Sequence, residues 1–258
     1  MTSLLPRTNK VVVVEPPKTL YIHVRCASNL NDCLNQLWIA TNYARNNNRE
    51  IVLEMPLYKG DLKDLLDFTR YPVKVHTNRS VIPEDAKRAT FNPEDTKTKA
   101  QVLVHEAAGG GIQSAHVFRF ARFQPAFVER LKSLPVIHSA IHVPATDAPR
   151  DLVDVDQMIK DFVSVQRGRP LFLVSENPER SAQVSKKYEC FAKAAAIPTT
   201  EEPGDLEDVL GDVMVLAAAK DLLCIPGSTG KVSGIAVLAK ELQTKRLFMR
   251  DLVAGKMF

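Results

Sequence analysis

The loop after the first convincing strand of this chain, Cys26–Asp32, contains no glycine. A dinucleotide-binding βα turn needs glycines there, for the tight bend and for close approach to a pyrophosphate. A Rossmann-type oxidoreductase is therefore not expected. A G-x-S-x-G elbow is also missing, which argues against an α/β-hydrolase. The four cysteines (Cys26, Cys33, Cys190, Cys224) show no C-x-x-C spacing, and no His/Cys cluster has zinc-ligand spacing. They read as free thiols of a reducing compartment, with a Cys26–Cys33 disulfide left open by their proximity in sequence. No long hydrophobic run is present. Val11–Val14 is far too short to span a bilayer, and Met1–Lys10 lacks the apolar core of a signal peptide. This points to a cytoplasmic enzyme, or to a chain separated from its anchor. Neither sign of charge dominates: 34 Lys and Arg face 30 Asp and Glu, a net +4. No basic block has the density of a nucleic-acid arm, so no nucleic-acid partner is expected. Nothing in the sequence sets an oligomeric state.

What is present is a pattern of alternating strands and helices. At 45% hydrophobic and 25% charged residues, the 258-residue chain can bury a sizeable core. Thr19–Val24 reads as a strand. Cys33–Asn46 reads as a helix with Leu34, Leu37, Trp38, Thr41 and Ala44 or Arg45 on one stripe, and Ile51–Glu54 as the next strand. This is a βαβ unit, hence parallel strands and a right-handed crossover. Asp61–Phe68 reads as a short helix, Pro72–His76 as an edge strand and residues 80–100 as loop. Val102–His105 reads as a strand before the triple glycine 109–111, where a methyltransferase loop is one alternative. Pro125–Lys132 is a helix with proline in its first turn. The second half gives strands at Ser139–Val143, Pro170–Ser175 and Leu222–Ile225. It gives helices at Asp154–Val165, Glu179–Cys190, Leu206–Lys220 and Val232–Gln243, with Arg246–Met249 as a last strand or return segment. The expectation is an α/β fold of two Rossmann-like lobes facing a cleft, residues 1–135 and 136–258.

The most informative stretch runs from Asp212 to Ala239. A helix and a short buried strand lead into Gly227-Ser228-Thr229-Gly230-Lys231, which is read as opening the next helix. Such a loop aims backbone N–H groups at one point and suits a phosphate. It is not a Walker A loop, because Ile225 stands where the first glycine belongs and Val232 follows the lysine. Asp154-Val155-Asp156 has the letters of a metal-binding pair, but at a helix start it reads as a cap, and no metal ligands are assigned.

Several landmarks, taken in order, resemble one superfamily: the α1,2-, α1,6- and protein O-fucosyltransferases and nodulation fucosyltransferases, of GT-B architecture. They are Asp32-Cys33-Leu34-Asn35-Gln36 after the first strand, His142-Val143-Pro144-Ala145-Thr146-Asp147 at a mid-chain strand end, and Leu173–Glu179. The last is Asp212 followed by Leu222–Ile225 and Ser228-Thr229-Gly230-Lys231. The chain departs from that pattern where Pro144 replaces an arginine, Asp32 and Leu34 replace glycines, and Gly230 replaces a phenylalanine. The resemblance implies a glycosyltransferase working without a cofactor, on a GDP- or UDP-linked sugar donor and a glycan acceptor. The sugar would be a deoxyhexose such as fucose or rhamnose. A degenerate nucleotide- or glycan-binding module of the same fold is the alternative. On this reading His142, Asp147, Glu176, Asn177 and Gly227–Lys231 hold the donor, and Asn29 and Asn35 the acceptor. Asp32 is the leading base, with helix capping as its other role. Arg25 crosses the cleft to the leaving diphosphate, with a surface ion pair as the other reading. His23, inside a strand, reads as a packed histidine.

Overall fold

The computed structural model describes residues 18–106, 113–133, 138–144, 154–166, 168–188, 190–194 and 201–245. The first half runs β1 (Tyr21–Arg25), α1 (Leu30–Asn46), β2 (Glu50–Glu54), β3 (Tyr58–Lys59), α2 (Leu62–Leu65), β4 (Leu66–Asp67) and β5 (Val75–His76). It continues with β6 (Arg88–Thr90), β7 (Val102–His105), β8 (Arg122–Phe123) and α3 (Pro125–Lys132). Strands β5-β2-β1-β7-β6 form one parallel sheet. Side chains alternate across it, as a pleat requires. Ile22, Val24, Ile51, Leu53 and Leu103 join the core that also holds Leu30, Leu34 and Leu37 of α1. Tyr21, Val52 and Val102 face a smaller cluster with Ile82 and Ala86.

On α1 the buried stripe is Leu34, Leu37, Thr41 and Ala44, while Arg45 points to solvent and Trp38 is half-buried, stacked on His116 and Phe120. The helix starts at Leu30, a turn earlier than its apolar stripe indicates, because Asn29 caps it. Residues 80–100, read as loop, contain β6. This three-residue edge strand is largely exposed and carries no apolar alternation to announce it.

The second half runs β9 (Ser139–Val143), α4 (Val155–Gln166), β10 (Leu171–Ser175), α5 (Pro178–Tyr188), β11 (Phe191–Ala194), β12 (Gly204–Asp205), α6 (Leu206–Ala218), β13 (Asp221–Cys224) and α7 (Gly234–Lys245). A second parallel sheet has the order β11-β10-β9-β13. Ile141, Val143, Leu171, Leu173 and Ile225 pack with Val155 and Ile159 of α4 and Val184 of α5. Full burial of each such side chain is worth about 1.5–3 kcal/mol. The triple glycine 109–111 and the segment Arg246–Met249 lie outside the described residues.

Helices α6 and α7 belong to the second half in sequence but pack into the core of the first. Helix α6 is apolar nearly all round (Leu206, Val209, Leu210, Val213, Met214, Val215, Leu216 and Ala217 are buried), as expected of a helix covered on several sides. Three further contacts tie the halves together. Strand β12 pairs with β3, Tyr58 opposite Gly204. Arg130 of α3 bonds Glu207 at 2.8 Å and also Asp208, both on α6. Glu241 of α7 accepts hydrogen bonds from the Ser114 hydroxyl at 3.1 Å and the Ala115 amide at 3.2 Å.

Candidate functional site

Strand order reverses between β1 and β7 in the first sheet and between β9 and β13 in the second. Ligands of open α/β sheets sit beyond the carboxyl ends of the strands at such reversals. Along the first of these edges runs a chain of ionisable side chains. His23, 3% exposed, meets Glu54 Oε2 through Nε2 at 2.9 Å. Glu54 Oε1 lies 3.5 Å from Arg25 Nε, and Arg25 Nη1 lies 3.6 Å from Glu106. Arg25 is therefore held between two carboxylates, with half of its side chain exposed. His23 is packed within its strand, as its position indicates.

The neighbouring loop closes on itself. Asn29 Oδ1 accepts the Asp32 amide at 3.1 Å. Asp32 Oδ2 accepts the Ser28 hydroxyl at 2.6 Å and the Asn29 amide group at 3.0 Å. Asp32 is 9% exposed and Asn35, one turn on, 5%. Asp32 thus ties down the first turn of α1. The other carboxylates at this edge are more open: the side chain of Glu54 is 29% exposed and that of Glu106 60%. Cys26 and Cys33 flank the loop as free thiols. Cys33 Sγ donates to the Ser28 carbonyl at 3.5 Å. The Cys33 side chain draws the Cys26 thiol below its usual range, while Cys33 itself is pushed up.

At the second edge, His142 is fully buried near the end of β9. Its Nε2 lies 3.1 Å from Ser233 Oγ and 3.4 Å from Glu176 Oε1, and its Nδ1 has no hydrogen-bond partner. Three elements therefore converge here: the end of β9, the turn after β10, and the residue preceding α7. Asn177 accepts the Arg180 amide through Oδ1 at 3.1 Å, so it caps α5. Pro144 is buried at the end of this strand. Asp147 lies outside the described residues.

The loop Gly227–Lys231 differs from the reading of its sequence. The Gly227 amide donates to the Lys231 carbonyl at 2.9 Å, and the Gly230 amide to the Gly227 carbonyl at 2.8 Å. Gly230 has φ +72°, the left-handed conformation such a turn requires. Two of the loop's N–H groups are spent on the turn itself, and Ser228, Thr229, Gly230 and Lys231 are exposed. The helix opens at Gly234, with the Ser233 carbonyl taking the Val237 amide. The amides of Gly234, Ile235 and Ala236 are left without intrahelical acceptors. The helix N-terminus of this segment therefore lies beside Ser233 and not at Gly227–Lys231.

The two edges meet where α1 and α7 begin. A Cβ placed on Gly234 would fall 2.1 Å from Asn29 Oδ1, the atom that caps α1. Glycine at 234 is what lets the start of α7 approach this cap. Gly234→Ala must expel the Asn29 side chain from its cap. We expect a loss of about 1 kcal/mol or more, as for other lost N-caps, seen as a lower midpoint in urea unfolding. Asn29→Gly combined with Gly234→Ala should recover most of it. An undiminished midpoint in Gly234→Ala would mean that the two helix starts are not in contact.

The Asp154–Asp156 pair is used locally. Asp154 Oδ1 accepts the Gln157 amide at 2.9 Å, capping α4, and Asp156 meets Arg180 at 2.8 Å. Among the described residues no three His, Cys, Asp or Glu side chains group as metal ligands, and no helix is long and apolar enough to cross a membrane.

The architecture, mixed α/β with two parallel sheets that each reverse their strand order, is that of the GT-B fold class. The particular likeness is to fucosyltransferases. The fucosyltransferase NodZ from Bradyrhizobium superposes with a TM-score of 0.57 at 14% identity, over 87% of this chain and 92% of that one. NodZ α-1,6-fucosyltransferase co-crystallised with GDP gives 0.56 at 15% identity, over 87% and 92%. POFUT1 in complex with GDP-fucose gives 0.55 at 11%, over 88% and 94%. Neither a protein-family model nor a curated protein sequence matches the chain. The chain has a fucosyltransferase-like fold.

Sequence reasoning missed two members of the site. Glu54 was legible as the last residue of a strand but was given no role. Ser233 was hidden because the helix start was placed one residue before it.

Proposed function

We propose that this protein is a glycosyltransferase. It moves a sugar, a deoxyhexose such as fucose or rhamnose, from a nucleoside-diphosphate donor to a glycan hydroxyl, with inversion and without a metal. The observation that carries this reading is the convergence of His142, Glu176 and Ser233 at the start of α7. A diphosphate placed there would meet the N–H groups and positive dipole end of the helix. The known neighbours of this fold are described with GDP and GDP-fucose, so GDP is the favoured nucleotide. The donor lies on the 136–258 side and the acceptor on the 1–135 side. Glu54 takes the proton of the attacking hydroxyl. The acceptor oxygen bonds to the anomeric carbon as the bond to the diphosphate breaks, and the nucleoside diphosphate leaves against α7 and Lys231. Arg25, released from Glu106, is the mobile cation available to the opposite edge.

A second reading rests on Pro144, a buried residue where fucosyltransferases of this pattern have an arginine. Loss of that cation suits a module that binds nucleotide or glycan without turnover. Melting temperatures measured with GDP, UDP, CDP and TDP, each with EDTA and with Mg²⁺ or Mn²⁺, together with an assay of GDP-sugar consumption, test both. A ligand selective for the folded state raises the midpoint by mass action. We expect GDP to give the largest rise and EDTA to leave it unchanged, and a GDP-sugar to be consumed. Binding without consumption selects the second reading. No response to any of the four, or a response only with Mg²⁺ or Mn²⁺, overturns the first.

A further inference from the structure

A cavity of about 630 Å³ opens at the opposite end of the first sheet, away from the carboxyl edge. It lies where β1, β2 and β5 begin and α1 ends, and its volume falls within the usual range of small-molecule sites, about 300–1,000 Å³. Its wall carries Lys18, Arg45, Arg49 and Lys74 against the single carboxylate of Glu50. That carboxylate is already taken: Glu50 Oε2 lies 2.6 Å from His76 Nε2 and 3.6 Å from Lys74 Nζ. Lys18 and Arg45 are exposed and have no ion-pair partner among the described residues.

Arg49 is the unusual member. It is 4% exposed, and its guanidinium donates only to backbone carbonyls: Tyr21 at 3.2 Å, Ala100 at 3.0 Å, Gln101 at 3.5 Å and Thr98 at 3.2 Å. Its Nε has no partner. No carboxylate among the described residues lies within ion-pair distance of it. Burial draws its pKa down, the mark of a desolvated cation. A buried charge without a counter-charge is costly, and the carbonyl dipoles supply only part of what an anion would. The end of α1 places partial negative charge nearby, but the Tyr43 and Ala44 carbonyls are covered by the Asn47 and Arg49 amides.

We propose that this cavity is an anion site, separate from the donor site, for the tetrahedral oxyanion of a phosphate or sulfate ester. Arg45 and Lys18 bind the oxyanion directly with charge-assisted hydrogen bonds. Arg49, fixed by its carbonyl bonds, supplies field from below. The apolar wall of Leu20, Pro72 and Val73 accommodates the organic part of the ester.

Calorimetric titrations with inorganic phosphate and with inorganic sulfate, at constant ionic strength and with saturating GDP present, test this. One saturable site is expected beyond the nucleotide site. The tighter of the two titrants identifies which ester the site takes. The double variant Lys18→Gln, Arg45→Gln should weaken that anion at least tenfold, with the GDP response unchanged and the melting temperature lowered only by the loss of Arg45 from the last turn of α1. Absence of any uptake by the wild type, or equal uptake by the double variant, overturns the proposal. A failure of GDP to bind bears on the proposed function alone, because the double variant still assigns phosphate uptake to this cavity.

Discussion

Ser233→Asp should lower the affinity for GDP by about 100-fold or more and leave the fold intact. Aspartate is as good an N-cap as serine, so α7 keeps its start. The new carboxylate, however, sits at the start of α7, where the proposed function puts the diphosphate against the amides of Gly234, Ile235 and Ala236. Two like charges about 4 Å apart repel by about 4 kcal/mol at an effective dielectric constant of about 20. Half of that already exceeds a tenfold loss. Ser233→Ala removes the hydroxyl that meets His142 at 3.1 Å but adds no charge, so its effect should be several-fold only. Ser228→Glu and Thr229→Glu lie on the exposed outer turn and should weaken binding less than Ser233→Asp. Fluorescence or calorimetric titration of GDP gives the order directly. If the outer-turn variants are the more damaging, the phosphates lie over Gly227–Lys231 and not at the start of α7.

Glu54→Gln should lower sugar transfer by about 10²- to 10⁴-fold, the usual contribution of a positioned general base, with GDP affinity unchanged. Glutamine keeps the size of the side chain and an acceptor for His23, so the strand edge should survive. The companion variant Asp32→Asn separates the two carboxylates. Asp32 holds the first turn of α1 through Ser28 and Asn29. Its loss should appear as about 1 kcal/mol of stability and a small change in turnover. Rates with saturating donor, together with unfolding midpoints for both variants, decide the matter. A near-normal rate in Glu54→Gln beside a collapse in Asp32→Asn would return the base to Asp32.

Much of the fold was legible because it rests on local periodicity. Val102–His105, Ser139–Val143 and Pro125–Lys132 fall where their patterns place them. The ordered landmarks from Asp32 to Lys231 pointed to the fold class that the structural likeness to NodZ and POFUT1 now shows. The elements that escaped are those whose residues carry no pattern of their own. Strand β6 exists because β7 offers it an edge. Strands β3 and β12 are two residues each and exist because they pair across the two halves. At the second edge His142 and Glu176 lie 3.4 Å apart, as their positions at neighbouring strand ends allow, and the helix opens at Gly234, after Gly227–Lys231 and not within it. Glycine and serine in sequence announce a turn, but not whether its amides face inward or out.

The sequence by itself determined the α/β class and the parallel sheets, since alternation and chain handedness act over a few residues at a time. The tertiary structure alone decided that α6 and α7 pack into the first core, that Gly234 abuts Asn29, and that Asp32 is enclosed while Glu54 stays open. These depend on contacts between residues as far apart in sequence as Asn29 and Gly234, where only the summed packing of both halves sets which polar groups reach one another.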